Sequence, residues 1–486
     1  MYPNLSQLTT IVSPEILFWQ EEVLKQYGSD ETEDFCFPPH VVAKPTEVSQ
    51  IVALLQFANQ HQIPVTPIGA RTGLSGGALS VHGGIGLSME KMNRILHIDT
   101  DNLQVTVEPC VITQVLQDEV AKHGLFYPVD PSSKGSCSIG GNVAENAGGA
   151  RAVKYGVTKD FVLNVEVVLP DGSVHWTGAN TLKNATGYNL TQLMVGSEGT
   201  LGVITKIVLK LIPAVSNQIL MLVPFYKMEE ACQAVAAIFK AGIVPSALEF
   251  MEKDALDWSI QHLQEDASLV KDNHQAHLLI ELDGNDQEYL MKQAEALMHV
   301  LEAFLIDEIL FADTDESKNS LWKLRRKVAE AVKSNSVYKE EDTVVPRFAL
   351  PELLLGVKSI GKKYGFQSVC YGHAGDGNLH INIVKGNLSE EAWQNEVPKG
   401  IHEIMELTVR LGGTLSGEHG IGWVQKNYMP IAFSPLTLQL MKGIKKVFDP
   451  NGIMNPGKVF PDEGIKLINK GNDNGNNNFK INLKAK

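Results

Sequence analysis

Two histidines, His373 and His380, stand on either side of an Asp-Gly pair in the stretch YGHAGDGNLHINI. Asp376-Gly377 predicts a two-residue β-hairpin, because a type I′ turn needs positive φ at both central positions. A hairpin centred there sets the two histidines directly opposite each other on one face, with Cβ atoms roughly 5 Å apart. The other predicted pairs are Gly375 with Asn378 and Ala374 with Leu379, and Tyr371 and Asn382 share the histidine face. Two imidazoles placed in this way could chelate a metal if a third ligand approached.

The composition is that of an ordinary soluble globular protein. The chain has 486 residues, 44% hydrophobic and 20% charged, which predicts two or three domains. Lys plus Arg is 42 against 56 Asp plus Glu, so the net charge of −14 argues against a nucleic-acid partner. No apolar run approaches the roughly 20 residues of a membrane span. The opening MYPNLSQLTT lacks the features of a signal peptide.

The cysteines indicate no redox or metal framework. They are Cys36, Cys110, Cys137, Cys232 and Cys370, and no CxxC pair occurs. Neither a disulfide framework nor an iron–sulfur cluster is therefore predicted. Together with the absence of a membrane span, this favours a cytoplasmic protein.

Composition also divides the chain. The segment 46–60 predicts a helix capped by Thr46, followed by a strand at 63–68. Its apolar stripe consists of Ile51, Leu54, Leu55 and Ala58. Glycine is dense from 69 to 202, and longer amphipathic helices replace it from about 214 to 410. Glycine returns at 412–422, and the Asn-rich tail is predicted to be disordered.

Three segments concentrate the glycine: PIGARTGLSGGA (67–78), DPSSKGSCSIGGNVAENAGGARAVKYG (130–156) and VGSEGTLGVI (195–204). Glycine permits positive φ and close backbone approach to a ligand. Consecutive N–H groups in such turns form anion-binding nests suited to a pyrophosphate. For any single segment, tight turns in a loop-rich sheet protein explain the pattern equally well. Neither the Rossmann GxGxxG nor the Walker A spacing occurs here.

Taken together, the motifs resemble the FAD-linked D-2-hydroxy acid dehydrogenases of the vanillyl-alcohol oxidase/p-cresol methylhydroxylase superfamily. That family includes the glycolate oxidase FAD subunit, cytochrome-type D-lactate dehydrogenase and D-2-hydroxyglutarate dehydrogenase. The resemblance runs from about Pro38 to Phe460. It rests on GARTGLSGG, IGGNVAENAGG, NATGYNLTQLMVGSEGTLGVIT, PSALEFM, GHAGDGNLH, SGEHGIG and DPNGIMNPGKVF.

The fold implied by this resemblance is α+β, a two-lobed PCMH-type FAD-binding domain with an inserted α+β cap domain. The FAD-binding domain comprises residues 1–213, with its core at about 38–213, and the cap or substrate domain comprises 214–410. A helical segment at 411–460 returns to the FAD domain and contributes part of the active site. Residues 461–486 form the predicted disordered tail.

The resemblance also implies the cofactor site. It assigns the pyrophosphate and the rest of the FAD to Gly69, Gly73, Ser75, Gly76, Gly77, Asp130, Pro131, Ser132, Gly140, Gly141, Asn142, Asn146, Gly148, Gly149, Gly202, Val203 and Ile204. Arg71 departs from the family, which often has glycine there, and its side chain either points outward or adds a phosphate contact. Thr72 matches the position where relatives with covalent flavin often have histidine, so the FAD is predicted to be non-covalent.

The segment GGTLSGEHGIG supplies Glu418 and His419, whose side chains point to opposite sides if the backbone is extended. The resemblance implies a divalent metal on His373, His380 and Glu418, and His419 as the catalytic base. An open set of two imidazoles and one carboxylate favours zinc, with manganese or iron as alternatives. A hairpin with hydrogen-bonded histidines and a surface glutamate is the structural alternative.

The resemblance implies the oxidation of a hydroxyl next to a carboxylate. His419, with an ordinary pKa of about 6.5, can take the hydroxyl proton at neutral pH. The C2 hydrogen would pass to the flavin as hydride, and Asn382 is expected to hydrogen-bond the substrate. In SLWKLRRKVAEAV, Arg325 lies beside an apolar stripe formed by Leu321, Leu324, Val328 and Val332, and we expect it to clamp the substrate carboxylate. Lys323, Arg326 and Lys327 are predicted to lie on more solvated faces.

Departures from the family favour a small monocarboxylate. In the hydroxyglutarate enzymes the distal carboxylate meets a threonine and a lysine, and Ala329 and Glu340 occupy those positions here. Lys339 is shifted out of register, so a second carboxylate would meet negative charge. D-lactate or glycolate is therefore expected, with D-2-hydroxyglutarate as the alternative.

Other functions compete with this interpretation. A redox-neutral flavin transferase like the alkyl-glycerone-phosphate synthases shares the fold, but its histidine-rich tract is not found here. A flavin or metal subunit of a larger respiratory complex is the non-catalytic alternative. Without an iron–sulfur motif, electrons must leave to a quinone, a cytochrome, an electron-transfer flavoprotein or an iron–sulfur subunit. Peripheral attachment at the inner membrane through such a partner, and a homodimer, remain open.

Overall fold

The structure is a computed structural model that describes residues 2, 4–32, 35–265 and 270–462. Its strands are β1 (Leu17–Phe18), β2 (Val41–Ala43), β3 (Val65–Ile68), β4 (Ile85–Ser88), β5 (Ile95–Asp99), β6 (Gln104–Val107), β7 (Leu125–Phe126), β8 (Val162–Val168), β9 (Val174–Trp176), β10 (Val203–Lys210), β11 (Ile212–Pro213), β12 (Asn217–Phe225), β13 (Ala247–Glu252), β14 (Ala276–Gly284), β15 (Leu310–Ala312), β16 (Tyr338–Val344), β17 (Gln367–Gly372) and β18 (Asn378–Val384). The predicted disordered tail lies outside the described residues from position 463 onward.

The α-helices alternate with these strands. They are α1 (Leu8–Ile11), α2 (Glu21–Gln26), α3 (Val48–His61), α4 (Thr113–Ala121), α5 (Ile139–Glu145), α6 (Ala152–Tyr155), α7 (Leu190–Met194), α8 (Met228–Lys240), α9 (Lys253–Leu263), α10 (Gln287–Leu301), α11 (Asp315–Arg326), α12 (Val328–Asn335), α13 (Leu350–Tyr364), α14 (Glu390–Asn395), α15 (Val397–Arg410), α16 (Met429–Ala432) and α17 (Pro435–Phe448). None of the helices in the described ranges is both long and apolar enough to cross a membrane. All five cysteines are free thiols.

Two larger sheets, together with a two-stranded sheet of β7 and β11, build the N-terminal part of the molecule. The first has the order β1-β2-β4-β3, with β2, β4 and β3 parallel, and the second is antiparallel with the order β5-β6-β10-β8-β9. Helix α3 connects β2 to β3 and buries the predicted apolar stripe. The predicted Thr46 cap is wrong. The N-cap is Glu47, and the Thr46 N–H instead donates to Gln50 Oε1 at 2.8 Å.

A third, antiparallel sheet has the order β15-β12-β14-β13-β17-β18-β16. Alternate residues of its strands belong to two separate apolar clusters, as expected for a sheet that is covered on both faces. Helices α8, α10, α13 and α15 cover one face, and α9, α11 and α12 cover the other. The second face carries the polar residues of the candidate site.

The C-terminal segment returns to the first sheet. The Val65 N–H donates to the Ile453 carbonyl at 2.8 Å, and the Asn455 N–H donates to the Val65 carbonyl at 2.8 Å. Met454 is fully buried in the cluster that packs on α3. The proposed division into 1–213, 214–410 and 411–460 stays a prediction, and these contacts are of the kind that it expects.

Candidate active site

The turn that carries the two histidines differs from the prediction. Tyr371, not His373, pairs with His380, so the register is shifted by two residues. Residues Ala374–Asp376 form a 3₁₀ turn, and only Gly377 has positive φ, at 84°. The loop is closed by its own hydrogen bonds, since the His373 carbonyl accepts the N–H groups of Asp376 and Asn378. The loop between the two strands is therefore longer than the two-residue loop of a type I′ turn.

The even shift leaves the predicted convergence intact, because side chains alternate between faces with a period of two. The ring centroids of His373 and His380 lie 5.5 Å apart. His373 Nε2 and His380 Nε2 lie 3.2 Å and 3.5 Å from Glu418 Oε1. The His419 ring stacks on His380 with centroids 5.2 Å apart. Three predicted metal ligands and the predicted base therefore meet in one place.

His373 and His380 each have a carboxylate close to Nδ1. The oxygens of Glu249 lie 2.8 Å and 2.9 Å from His373 Nδ1. Glu340 Oε1 lies 3.3 Å from His380 Nδ1, at ion-pair distance. A carboxylate hydrogen-bonded to Nδ1, as Glu249 is to His373, fixes the tautomer of an imidazole and leaves Nε2 as the ligand atom. Here both Nε2 atoms face Glu418.

Asp342 holds the loop that supplies the third ligand. Its Oδ2 accepts the backbone N–H groups of Gly417, Glu418 and His419 at 2.8–2.9 Å and the Ser416 hydroxyl at 2.8 Å. The loop therefore curls around this buried carboxylate. The predicted extended geometry, with Glu418 and His419 on opposite sides, is wrong, and both side chains line the same cavity.

The local charges favour a cation. Burial opposes the charge on His373, but Glu249 and Glu418 outweigh it and raise the His373 pKa well above its ordinary value. Burial likewise opposes ionisation of Glu418, yet His373 and His380 lower its pKa to about 2. Asp342 and Glu340 overcome burial and raise the pKa of His419. Without a metal, His373 is thus held as a cation between two carboxylates.

The donor set fits a divalent metal. His373, His380 and Glu418 each offer a ligand atom, and these atoms lie within 4.8 Å of one another. Glu340, His380 and His419 meet the same criterion. We favour the first set for two reasons. Glu249 holds Nδ1 of His373 and leaves its Nε2 for the metal. A metal cation would also replace the proton of His373 and balance the negative charge of the surrounding carboxylates. Gly148 leaves room for this ligand, since a Cβ there would lie 2.9 Å from Glu418 Oε2.

Two arginines of α11 reach the same region. Arg325 is buried, its Nη2 lies 2.6 Å from Glu249 Oε2, and its Nε has no hydrogen-bond partner within the described ranges. It also stacks over Tyr371 at 5.0 Å. Arg326 is half-buried and so lies on a more solvated face than Arg325, as predicted, but it also lines the cavity beside Arg325, which the sequence did not predict. The stripe at 321, 324, 328 and 332 is buried as predicted.

Asn382 is fully buried on β18, two residues from His380 and therefore on the same face. Its Oδ1 and Nδ2 make no hydrogen bond with any residue that the structure describes. It does not line the cavity, and it pairs with Val369 and Glu340 rather than with Tyr371. Its predicted contact with substrate therefore stays a prediction.

A cavity of about 550 Å³ extends from the glycine segments to His380, Glu418 and His419. It reaches most of the predicted cofactor residues, namely Gly69, Gly73, Gly77, Pro131, Ser132, Gly140, Gly141, Asn142, Gly202, Val203 and Ile204. It does not reach Ser75, Gly76, Asp130, Asn146, Gly148 and Gly149. Two of these residues have a structural role instead: Asn146 ends α5 at φ 57°, and Gly149 allows a close approach to the Asp130 backbone, since a Cβ there would lie 2.6 Å from it.

The first glycine segment fits a pyrophosphate. The N–H groups of residues 70–74, which line the cavity, donate no hydrogen bond to any other described residue, so a cluster of backbone donors at the cavity wall is free. Arg71 has φ 62°, which explains why glycine is favoured at this position. Its guanidinium turns outward, stacks on Tyr27 at 4.7 Å and donates to the Gln26 carbonyl.

Comparison with known proteins agrees with this geometry. Residues 39–178 match an FAD binding domain, and residues 215–459 match the C-terminal domain of FAD linked oxidases. The chain is 38% identical to a D-lactate dehydrogenase of Anaerostipes hadrus, over 94% of this chain and 97% of that protein. It is 36% identical to glycolate oxidase subunit GlcD of Bacillus subtilis (91% and 93% covered) and 31% identical to a D-2-hydroxyglutarate dehydrogenase of Stutzerimonas stutzeri (94% and 98% covered).

The fold is that of the PCMH-type flavoproteins. A solved structure of p-cresol methylhydroxylase with substrate bound superposes with a TM-score of 0.78 at 17% identity, covering 95% of this chain and 97% of that one. Fold and sequence together define a flavoprotein oxidoreductase that uses FAD. The chain belongs to the family of FAD-linked 2-hydroxy acid dehydrogenases and oxidases. The predictions of an α+β PCMH-type fold, of FAD and of this enzyme class are confirmed.

Sequence reasoning missed two of the residues that organise the site. Glu249 was present in the motif PSALEFM, but nothing in that motif shows that it reaches His373, 124 residues further along the chain. Asp342 ends the segment YKEED, in which the sequence predicts a role for the charge of Glu340 but not for Asp342. For Glu249 the signal was an acidic residue within the apolar stretch ALEFM, since buried carboxylates are rarely left unpaired; the polar segment YKEED gave no such signal for Asp342.

Proposed function

We propose that this protein oxidises a small D-2-hydroxy monocarboxylate, D-lactate or glycolate, to the 2-keto acid. The observation that carries the proposal is the convergence of His373, His380 and Glu418, with His419 stacked beside them, at one end of the cavity that begins at the glycine segments. The names D-lactate dehydrogenase and glycolate oxidase among the relatives support this substrate class.

The proposal includes a divalent metal, with zinc favoured, held by His373, His380 and Glu418. When bound, such a cation supplies a Lewis acid for the substrate hydroxyl. Glu249 and Glu340 orient the two imidazoles toward it, and Asp342 fixes the backbone of Glu418. The flavin supplies the hydride acceptor, and the residues of the glycine segments hold it non-covalently.

Proton transfer is assigned to His419. Its ring lies against His380 on the cavity wall, and its backbone is held by Asp342, so its position does not depend on a flexible loop. In the neutral form its free nitrogen can accept the hydroxyl proton. Asp342 and Glu340 then stabilise the imidazolium, because both raise its pKa.

The substrate carboxylate is assigned to the arginines of α11. Arg325 presents an Nε without a hydrogen-bond partner among the described residues, and Arg326 adds a second guanidinium at the cavity wall. A planar guanidinium can bind a carboxylate with two parallel hydrogen bonds. Ala329 offers no polar group, and Glu340 places negative charge at the wall. These residues around the arginines favour a short substrate with one carboxylate.

D-2-hydroxyglutarate is the second candidate substrate, and the position of Arg326 is the observation that supports it. Two arginines on one cavity wall could hold two carboxylates, and one relative is a D-2-hydroxyglutarate dehydrogenase. Glu340 opposes this candidate, because it is half-buried at the cavity wall, and His380 and His419 lower its pKa although burial opposes its ionisation. An ionised carboxylate there repels a second one on the substrate.

The deciding experiment is an anaerobic titration of the purified FAD-loaded protein, followed by the flavin spectrum. D-lactate or glycolate should bleach the flavin, and L-lactate is the matched control for stereochemistry. Bleaching by D-2-hydroxyglutarate at much lower concentration than by either monocarboxylate would overturn the substrate assignment. No bleaching by any of the four would overturn the proposed function.

The electron acceptor is then found by offering the reduced protein a quinone, a cytochrome and an electron-transfer flavoprotein. The cytoplasmic location and the homodimer stay predictions.

A further inference from the structure

Tyr371 lies beside two of the groups that the proposed function assigns to the substrate. It pairs directly with His380 across β17 and β18, so the two side chains are on one face of the sheet. Their ring centroids lie 5.3 Å apart. The central carbon of the Arg325 guanidinium lies 5.0 Å from the centroid of the Tyr371 ring. One aromatic ring is therefore next to a proposed metal ligand and to the proposed carboxylate clamp.

The hydroxyl of Tyr371 is the part of this residue that packing leaves unexplained. Tyr371 is only 3% exposed, and it lines the cavity together with Arg325 and His380. Within the described ranges its hydroxyl makes no hydrogen bond. Asn382 is a polar neighbour on the same face, but both polar atoms of its amide are also without a hydrogen-bond partner in that part of the chain.

A buried hydroxyl without a partner costs free energy. Phenylalanine would give the same ring against Arg325 and His380 without that cost, because it has no polar atom to leave unpaired. The ring contacts alone therefore do not account for a tyrosine at position 371. A polar group that enters the cavity would satisfy the hydroxyl.

We propose that the Tyr371 hydroxyl donates a hydrogen bond to the carboxylate of the substrate. This inference rests on the proposed function, and it adds a residue that selects for a free carboxylate. A phenol, with an ordinary pKa of about 10, keeps its proton at neutral pH and can donate a hydrogen bond to an anion. Hydrogen bonds to a charged acceptor are also stronger than those between neutral groups.

The connectivity of a 2-hydroxy acid assigns this contact to the carboxylate. Its hydroxyl and its carboxylate stand on adjacent carbons, so a hydroxyl at the proposed metal site beside His380 brings the carboxylate close to Tyr371. The substrate hydroxyl already has its partners, the metal and His419. Arg325 has an Nε without a hydrogen-bond partner among the described residues and can bind one carboxylate oxygen, and Tyr371 can bind the other. An amide or ester of the same acid would lack the charge that both donors favour.

Tyr371→Phe in the full-length, FAD-loaded and metal-containing protein tests the proposal, because it removes only the hydroxyl. Two affinities are measured: that for D-lactate or glycolate, from anaerobic reduction of the flavin, and that for propionate, by calorimetry. Propionate keeps the carboxylate and lacks the hydroxyl. Both affinities should fall roughly ten-fold or more, as expected for a lost hydrogen bond to a charged group. Arg325→Ala should weaken propionate binding as well.

Tyr127→Phe is the matched control, because the buried Tyr127 hydroxyl also has no hydrogen-bond partner among the described residues, but Tyr127 does not line the cavity. It should leave both affinities unchanged, and both tyrosine variants should keep the FAD content, metal content and melting temperature of the wild type.

Equal affinities in Tyr371→Phe and wild type would overturn the proposal, and so would a loss for the hydroxy acid alone or a loss of FAD or metal. Wild-type protein that binds no propionate would overturn it too. Propionate binding that depends on Tyr371, in a protein whose flavin no 2-hydroxy acid reduces, would support the carboxylate contact and reject the proposed oxidation.

Discussion

The carboxylate of Glu249 joins His373 to Arg325. One oxygen lies 2.8 Å from His373 Nδ1, and the other lies 2.6 Å from Arg325 Nη2. All three side chains are buried, so this anion links a proposed metal ligand to the proposed substrate clamp without solvent between them. Metal binding and carboxylate binding should therefore be coupled through one residue.

Glu249→Gln tests this coupling. Glutamine keeps the size of the side chain but loses the charge that orients His373 and balances Arg325. We expect metal affinity to fall about 10–100-fold, the range typical of lost partners behind metal-bound histidines. Chelator competition on the purified protein measures this directly. Glu252→Gln is the matched control, because Glu252 is a buried carboxylate of the same strand that pairs with Lys358 instead. Equal metal loss in both variants would contradict the role of Glu249.

Asp342→Asn should loosen the loop of Glu418 and His419. An amide cannot accept all four loop donors as a carboxylate does, and its own N–H group would face them. We expect a loss of about 2 kcal/mol or more in the free energy of unfolding, together with loss of bound metal. Ser416→Ala removes only one of the four hydrogen bonds and should cost about 1 kcal/mol.

The same variant has a defined pH dependence. His419, His380 and the loop N–H groups overcome burial and lower the Asp342 pKa in the folded protein. A lowered folded pKa stabilises the protein above the unfolded pKa of about 3.9, and this stability is lost as the pH falls through the folded value. The stability difference between wild type and Asp342→Asn should thus be constant near neutrality and shrink below about pH 4. A difference that grows in acid would refute the assignment.

The sequence was most informative where a local rule decides the outcome. The α3 stripe and the common face of His373 and His380 follow from periodicity, and a shift of two residues leaves that face unchanged. The predicted type I′ turn was wrong, because the length of the turn is set by the hydrogen bonds of the His373 carbonyl and not by the preference of Asp-Gly. Arg326 is more solvated than Arg325, as predicted, but its contact with the cavity was not predicted, because helical position gives no information about a cavity formed with another part of the chain.

Arg325→Ala and Arg326→Ala should separate the two carboxylate clamps. Loss of a buried charged hydrogen bond to the substrate should raise KM by the equivalent of about 2 kcal/mol. We expect the larger effect at Arg325 for D-lactate or glycolate. Lys323→Ala is the control on the same helix, since Lys323 is exposed and pairs with Glu265. If Arg326→Ala alone impairs turnover, the clamp is Arg326.

The FAD should be released intact when the protein is precipitated with acid. Thr72 offers no imidazole for a covalent bond at the position where some flavoproteins have one, and the free N–H groups of residues 70–74 can hold a pyrophosphate by hydrogen bonds alone. The measurement is flavin absorbance in the supernatant and pellet. Yellow colour that stays in the washed pellet would contradict non-covalent binding.

Removal of the metal should stop turnover while the flavin stays bound, because the proposed ligands lie at the histidine end of the cavity and the free N–H groups lie at the glycine end. A chelator, followed by gel filtration, metal analysis and a flavin spectrum, tests this separation.

His373→Ala and His380→Ala should each lose metal and activity together. His419→Gln should lose activity but keep the metal, because its proposed role is to accept a proton, and its ring is held against His380 rather than against Glu418. Restored turnover after adding zinc, manganese or iron to the chelated protein identifies the ion. If His419→Gln loses the metal while His373→Ala keeps it, the ligands are instead Glu340, His380 and His419, the other group whose atoms lie within 4.8 Å of one another.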